Sequence, residues 1–221
     1  MRKIIFFAAI IILAVALSFS SQAFGQSGSK ILLIPREGYS SNLDLMIKSE
    51  LGVMIQLLKD AGITFDIATD SGQPILGCNG KIEKVMRLSE INLKDYSGIL
   101  MACMGVGAFP GPPVSASTMS LAKEALAQNK PVAAGGNASI ILASAGLLKG
   151  KKYSFAADPL TSNNRWKRTD KRFVGAIYSG SGVVQDGLII TSGICPNLAK
   201  AMEKPDGTTE LTMKFISMIK K

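Results

Sequence analysis

The sequence predicts an α/β fold with a parallel sheet covered by helices, and two observations carry that expectation. Short apolar segments that read as strands alternate along the chain with segments of helical periodicity, which is the order of βαβ units. Midway, residues 130–146 (KPVAAGGNASIILASAG) read as a short buried strand, a tight Gly-Gly turn and a small-residue helix with Gly146 past its end. That is the layout of a nucleophile elbow, where a sharp strand-to-helix turn lifts one side chain above a sheet.

Each element has its own justification. Residues 30–35 form an apolar first strand. Residues 43–60 are helical, with apolar positions at Leu43, Met46, Ile47, Leu51, Met54, Ile55 and Leu58, and Ala61-Gly62 supplies the stop. Residues 64–68 alternate as a strand does, and residues 96–103 form a third strand introduced by Asp95. A Pro/Gly loop at 109–113 leads into a helix near 117–128, and the elbow comes next. The last third holds strand-like segments at 153–156 and 174–178, then a hairpin at 183–190 with Asp186-Gly187 at its turn. A closing helix covers about 209–219.

The 221 residues begin with Arg2 and Lys3, an uncharged apolar run over 4–19, and small residues around Ala23 and Gly25. This predicts a secretory signal peptide over 1–25, cleaved after Ala23 or Gly25, in preference to a retained anchor. The remaining 196 residues suit a single domain with a net charge of +7, exported and without stable membrane insertion. The basic cluster around Trp166, residues 165–172, reads as an exposed solubilising loop, and no nucleic-acid partner is expected. The methionines fall at apolar positions and read as core. Without histidine, a zinc site would need cysteines and carboxylates from distant loops, so neither metal nor other cofactor is expected.

Three cysteines are present. Cys78 lies in a Gly-rich loop, while Cys103 and Cys195 each follow an apolar strand, where ligands and catalytic groups gather in parallel sheets. Three readings of the latter two stay open: a structural disulfide, a redox or nucleophilic site, or packed free thiols.

The residues Asp95-Tyr96-Ser97-Gly98-Ile99-Leu100-Met101, Lys130-Pro131-Val132-Ala133-Ala134, Ala145-Gly146-Leu147-Leu148-Lys149-Gly150-Lys151 and the hairpin from Val183 to Ser192 together resemble the ThiJ/PfpI superfamily. Its members are relatives of class I glutamine amidotransferases, and the resemblance runs in order over nearly the whole mature chain. It implies a three-layer α/β sandwich with a mostly parallel, flavodoxin-like sheet, and a homo-oligomer, commonly a dimer. It also implies that the strands preceding Cys103 and Cys195 flank the elbow strand.

The departures from the family are informative. Where active members carry a Cys-His pair at the elbow, this sequence has Gly136 and Asn137. Counted back from Ala61-Gly62, the family's helper glutamate corresponds to Glu50, although counting forward from the first strand puts Glu50 about two turns too late at ~3.6 residues per turn. Glu37 is a second candidate. The family's Pro-Gly-Gly turn is replaced by Ala102-Cys103-Met104-Gly105-Val106-Gly107, in which Gly105 and Gly107 still offer amides. Three functions are expected from this pattern. The leading one is a non-catalytic binding or stress-related protein holding a small anionic or carbonyl ligand at Gly105, Gly107, Gly135, Gly136, Asn137 and Cys195. The second is a divergent thiol-dependent hydrolase or deglycase-like enzyme, with Cys103 as displaced nucleophile and Glu50 or Glu37 as base. The third is a structural subunit of a homo-oligomer.

Overall fold

Strand residues with alternating sides fix the architecture. In the computed structural model, which describes residues 29–37, 41–104, 114–161 and 169–221, the elements run in this order. First come β1 (Lys30–Ile34), α1 (Ser41–Leu45), a π-helical turn (Met46–Leu51), α2 (Gly52–Asp60) and β2 (Thr64–Thr69). Next are β3 (Ile75–Leu76), β4 (Lys81–Ile82), β5 (Met86–Arg87), β6 (Ile99–Met101), α3 (Ala116–Ala127), β7 (Val132–Gly135) and α4 (Ser139–Ser144). The chain closes with β8 (Lys152–Tyr153), β9 (Ile177–Tyr178), β10 (Val183–Asp186), β11 (Ile189–Ser192), α5 (Pro196–Met202) and α6 (Thr208–Ile219). The expected signal peptide over 1–25, the Pro/Gly loop at 109–113 and the part of the basic cluster that holds Trp166 lie outside the described residues.

Seven strands form one sheet in the order β10-β11-β7-β6-β1-β2-β5. Every neighbouring pair is parallel except the terminal hairpin β10–β11. Register then decides the layers. Leu33, Leu100, Ala133 and Ile190 lie side by side across four strands. They join one apolar cluster with Leu51, Met54 and Leu58 from the first helical segment and Leu211 and Phe215 of α6. The alternate row, including Leu32, Ile99, Val132 and Ala134, packs with Leu121, Ala122 and Ala125 of α3 and Ile140 to Ala143 of α4. The fold is therefore a three-layer α/β sandwich with a mostly parallel, flavodoxin-like sheet. Strands β6 and β11 flank the elbow strand β7, so the loops after them meet at one end of the sheet.

Several segments differ from their expected form. The helix over 43–60 is interrupted by the π turn at Met46–Leu51. The strand over 96–103 shortens to Ile99–Met101, and Tyr96 ahead of it donates its hydroxyl to Asp66 at 2.8 Å. Asp66 also pairs with Lys30, whose ammonium stands 5.2 Å over the Tyr96 ring. Tyr96→Phe removes one donor to a partly buried carboxylate and is expected to cost about 1 kcal/mol in urea unfolding. The segments near 153–156 and 174–178 supply only the outer pair β8–β9. Helix α5, opening on Pro196, and the short strands β3 to β5 have too few residues for periodicity to announce. The Ala61-Gly62 stop is as expected: Ile63 N–H returns to the Leu58 carbonyl at 2.9 Å and Gly62 N–H to that of Lys59.

Candidate functional site

The elbow turn after β7 is the geometric centre of the site. Gly136 has φ +50°, a conformation that side chains other than glycine's rarely adopt, and a turn of 3-10 helix (Gly136–Ala138) leads into α4. A β-carbon on Gly136 would lie 2.7 Å from Cys103 Sγ, and 3.2 Å from the β-carbons of both Cys103 and Cys195. The volume an elbow side chain would claim is therefore held by sulfur from the neighbouring strand end. Asn137 N–H, the next amide in the turn, points at Cys103 Sγ from 3.5 Å.

Glu50 reaches the same point from the opposite helical layer. It lies in the π turn, whose defining bond runs from Gly52 N–H to the Ile47 carbonyl. Such single turns widen the helix by one residue and rotate the positions beyond them, and they recur at functional sites. Glu50 is 1% exposed, and its Oε1 accepts the Cys103 backbone N–H at 2.7 Å. Burial pushes its carboxyl well above the usual range of 4.5, the nearby Cys195 sulfur pushes it further, and the Cys103 amide and Arg36 only partly oppose this. Glu50 therefore holds its proton to higher pH than an exposed glutamate does, as buried carboxylic acids do elsewhere. Gly135 makes room for it, because a β-carbon there would stand 3.1 Å from Glu50 Oε1. Gly135→Ala is expected to cost about 1–2 kcal/mol through this overlap, read as a lowered urea midpoint with unchanged slope.

The two thiols influence each other's ionisation. Both are free thiols, Cys103 half-buried and Cys195 buried. The Cys103 S–H donates to the Cys195 sulfur and the amides of Leu198 and Asn197 also donate to it, so Cys195 titrates at about 7 despite its burial. The same contact, together with burial and the neighbouring Glu50, pushes Cys103 well above its ordinary 9.0. The first ionisation of the pair thus falls near neutral pH and is centred on Cys195, while the remaining proton stays on Cys103 to higher pH.

Around these groups stand polar atoms that the protein leaves open. Arg36 Nη2 and Asn137 Oδ1 are buried and have no hydrogen-bond partner among the described residues, and neither does Ser139 Oγ in the first turn of α4. Such orphaned atoms cost free energy unless something meets them. Far from the thiols, at the amino ends of β1, β6 and β7, lies a hollow of about 500 Å³ lined by Lys30, Tyr96 and Lys130. Of the three lysines that line it, Lys30 is paired with Asp66 and Lys130 Nζ donates to the Leu93 carbonyl at 2.6 Å, and Lys94 is the third.

The sequence profile of the DJ-1/PfpI family matches residues 42–204, the greater part of the chain. The chain belongs to the DJ-1/PfpI family. An uncharacterized protein of Methanocaldococcus jannaschii is 30% identical to it over 144 residues, which is 65% of this chain and 67% of that one. A ThiJ/PfpI domain protein from Brachyspira murdochii superposes with a TM-score of 0.62 at 17% identity, covering 87% of this chain and 97% of its own. DJ-1beta of Drosophila melanogaster gives 0.58 at 16% identity, over 87% and 90%. At such identities these structures speak for the shared DJ-1/PfpI fold.

Of the residues singled out in the sequence, the structure of this DJ-1/PfpI chain brings together Glu50, Cys103, Gly135, Gly136, Asn137 and Cys195. Gly105 and Gly107 lie outside the described residues. Glu37 does not join this cluster through any described hydrogen bond. Its Oε2 accepts Ser71 Oγ at 2.6 Å and Ser71 N–H at 3.0 Å, and these bonds outweigh burial and hold its carboxyl below 4.5. Sequence reasoning missed Arg36. Its position two residues past the end of β1, at the carboxyl edge of a central parallel strand, was a usable signal. Among the described residues no group of three or more His, Cys, Asp or Glu is placed to hold a metal ion.

Proposed function

We propose that this chain binds a small anionic or carbonyl compound in the pocket at the elbow, without the nucleophile at the elbow position itself on which the family's catalysis rests. One observation carries this reading: buried polar atoms at the carboxyl ends of the strands have no protein partner described, beside a turn whose apex residue is Gly136. The Arg36 guanidinium is the natural partner of a carboxylate or phosphate oxygen. Glu50, whose burial favours the protonated form, offers a donor to a carbonyl oxygen, and Asn137 Oδ1 offers an acceptor. Export with loss of residues 1–25 and assembly into a homo-oligomer belong to the same proposal. They are supported by the basic and apolar start of the sequence and by the resemblance to oligomeric relatives.

A melting-temperature screen with small carboxylates, inorganic phosphate and small 2-oxo acids tests the reading. At a hundredfold excess over its dissociation constant, a true ligand adds about 2.7 kcal/mol of stability. For a chain of this size that corresponds to a rise of roughly 5–10 °C. The rise should shrink in Arg36→Gln. No stabilisation by any of the three classes would contradict the proposal.

A further inference from the structure

The elbow cluster contains one feature that ligand binding leaves unused: two hydrogen-bonded thiols held in a pocket beside a buried acid. We propose that Cys103 and Cys195 act together as a two-electron thiol centre that reduces small hydroperoxides by closing a Cys103–Cys195 disulfide. Position is the first support. Both β-carbons lie 3.2 Å, and Cys103 Sγ 2.7 Å, from the single point where a Gly136 side chain would begin. Closing the bond asks the sulfurs to approach to about 2.05 Å. The absence of a side chain at Gly136 leaves the space between strand ends in which they can do so. Second, the sulfur of Cys195 is met by two backbone amides and the Cys103 proton, an arrangement that stabilises a thiolate. Third, Cys103 is half-buried and keeps one side of the pair toward solvent, while Cys195 is only 1% exposed and lies beyond the reach of a bulky protein disulfide.

The chemistry balances with these groups. The Cys195 thiolate attacks the terminal oxygen of the hydroperoxide, so that a sulfur–oxygen bond forms and the oxygen–oxygen bond breaks. The departing alkoxide takes the carboxyl proton of Glu50, which is restored from water. Cys103 sulfur then attacks the Cys195 sulfenic acid. The sulfur–sulfur bond forms, the sulfur–oxygen bond breaks, and hydroxide leaves with the Cys103 proton as water. Two thiols are oxidised by two electrons while the hydroperoxide is reduced to an alcohol and water. An external dithiol returns the pair by thiol–disulfide exchange.

The test uses the full-length chain carrying Cys78→Ser, reduced, freed of reductant and given one equivalent of hydrogen peroxide or cumene hydroperoxide. Peptide mapping should find Cys103 linked to Cys195, an intact mass lower by two hydrogens, and one peroxide consumed per bridge, with one cumyl alcohol formed per bridge from cumene hydroperoxide. In Cys103→Ser, Cys195 should stop at the sulfenic acid and be trapped by dimedone. In Cys195→Ser, peroxide consumption should fall about tenfold or more, because the activated thiolate is gone. With Cys78 restored, Cys195 should react before the exposed Cys78. The proposal is overturned if the pair stays reduced while peroxide persists, if oxidation falls on Cys103 alone, or if the bridge once formed resists dithiols in the folded protein. The first measurement needs only the unaltered pair, so misfolding of a serine variant does not shield the proposal.

Discussion

Glu50→Ala is expected to lose about 3 kcal/mol of unfolding free energy, the largest effect of removing any one side chain at the site. Two causes add. The Cys103 N–H, bonded at 2.7 Å to Glu50 Oε1, is left buried without an acceptor. The missing side chain also leaves a void between the π turn and Gly135, which a packed sandwich closes poorly. Glu50→Gln behaves differently, because it keeps the acceptor and mimics the protonated acid. The sign of the pH dependence comes from the raised carboxyl. The folded protein holds the Glu50 proton more tightly than the unfolded chain does, so the associated stability is complete below 4.5 and is lost as pH rises toward the folded value. Below 4.5 the glutamine variant and the unaltered protein should therefore differ little. Above it the variant should gain relative stability by about 1.4 kcal/mol per pH unit until Glu50 ionises in the fold. Urea unfolding at a series of pH values checks this, and a constant difference at all pH values would mean that Glu50 is already ionised in the pocket.

Gly136→Val is expected to cost about 3–4 kcal/mol, by strain and overlap together. Part is backbone strain, since a β-branched residue at φ +50° sits in a region it almost never occupies, worth roughly 1–2 kcal/mol. The rest is overlap: the new β-carbon would fall 2.7 Å from Cys103 Sγ, and overpacking of this kind costs about 1–3 kcal/mol. The variant should also separate the two sulfurs, so Cys195 loses its strongest donor and its titration moves up from about 7. Stability measured alongside thiol alkylation rates at several pH values distinguishes this from a purely backbone effect. A variant as stable as the parent would mean that the elbow is not tightly filled by Cys103.

The sheet and the elbow were legible in the sequence because they depend on periodic or local signals. The alternation of segments announced the parallel sheet, and the Gly-Gly turn after Lys130-Pro131-Val132-Ala133-Ala134 marked the elbow. Cys103 and Cys195 could be placed at one end because each follows an apolar segment. The π turn was not legible, since Met46 to Leu51 has an ordinary helical composition and the extra residue per turn appears only in the backbone bonds. The depth of Glu50 was hidden for the same reason, and so was its bond to Cys103, formed across 53 positions. Arg36 escaped notice because a lone arginine after a strand looks like surface, and its buried guanidinium atom emerges only from packing. The division of charge between two similar thiols rests on a hydrogen bond and two amide donors that no spacing encodes.

The proposed thiol centre depends on Cys103 and Cys195 sharing one proton once the first of them has ionised. Ultraviolet thiolate absorbance, followed against pH in the reduced protein carrying Cys78→Ser, tests that sharing without intermediate steps. One thiolate should appear with a midpoint near 7, a second only under strongly alkaline conditions, and the first step should vanish in Cys195→Ser. Two thiols ionising together in the ordinary range near 9 would contradict it.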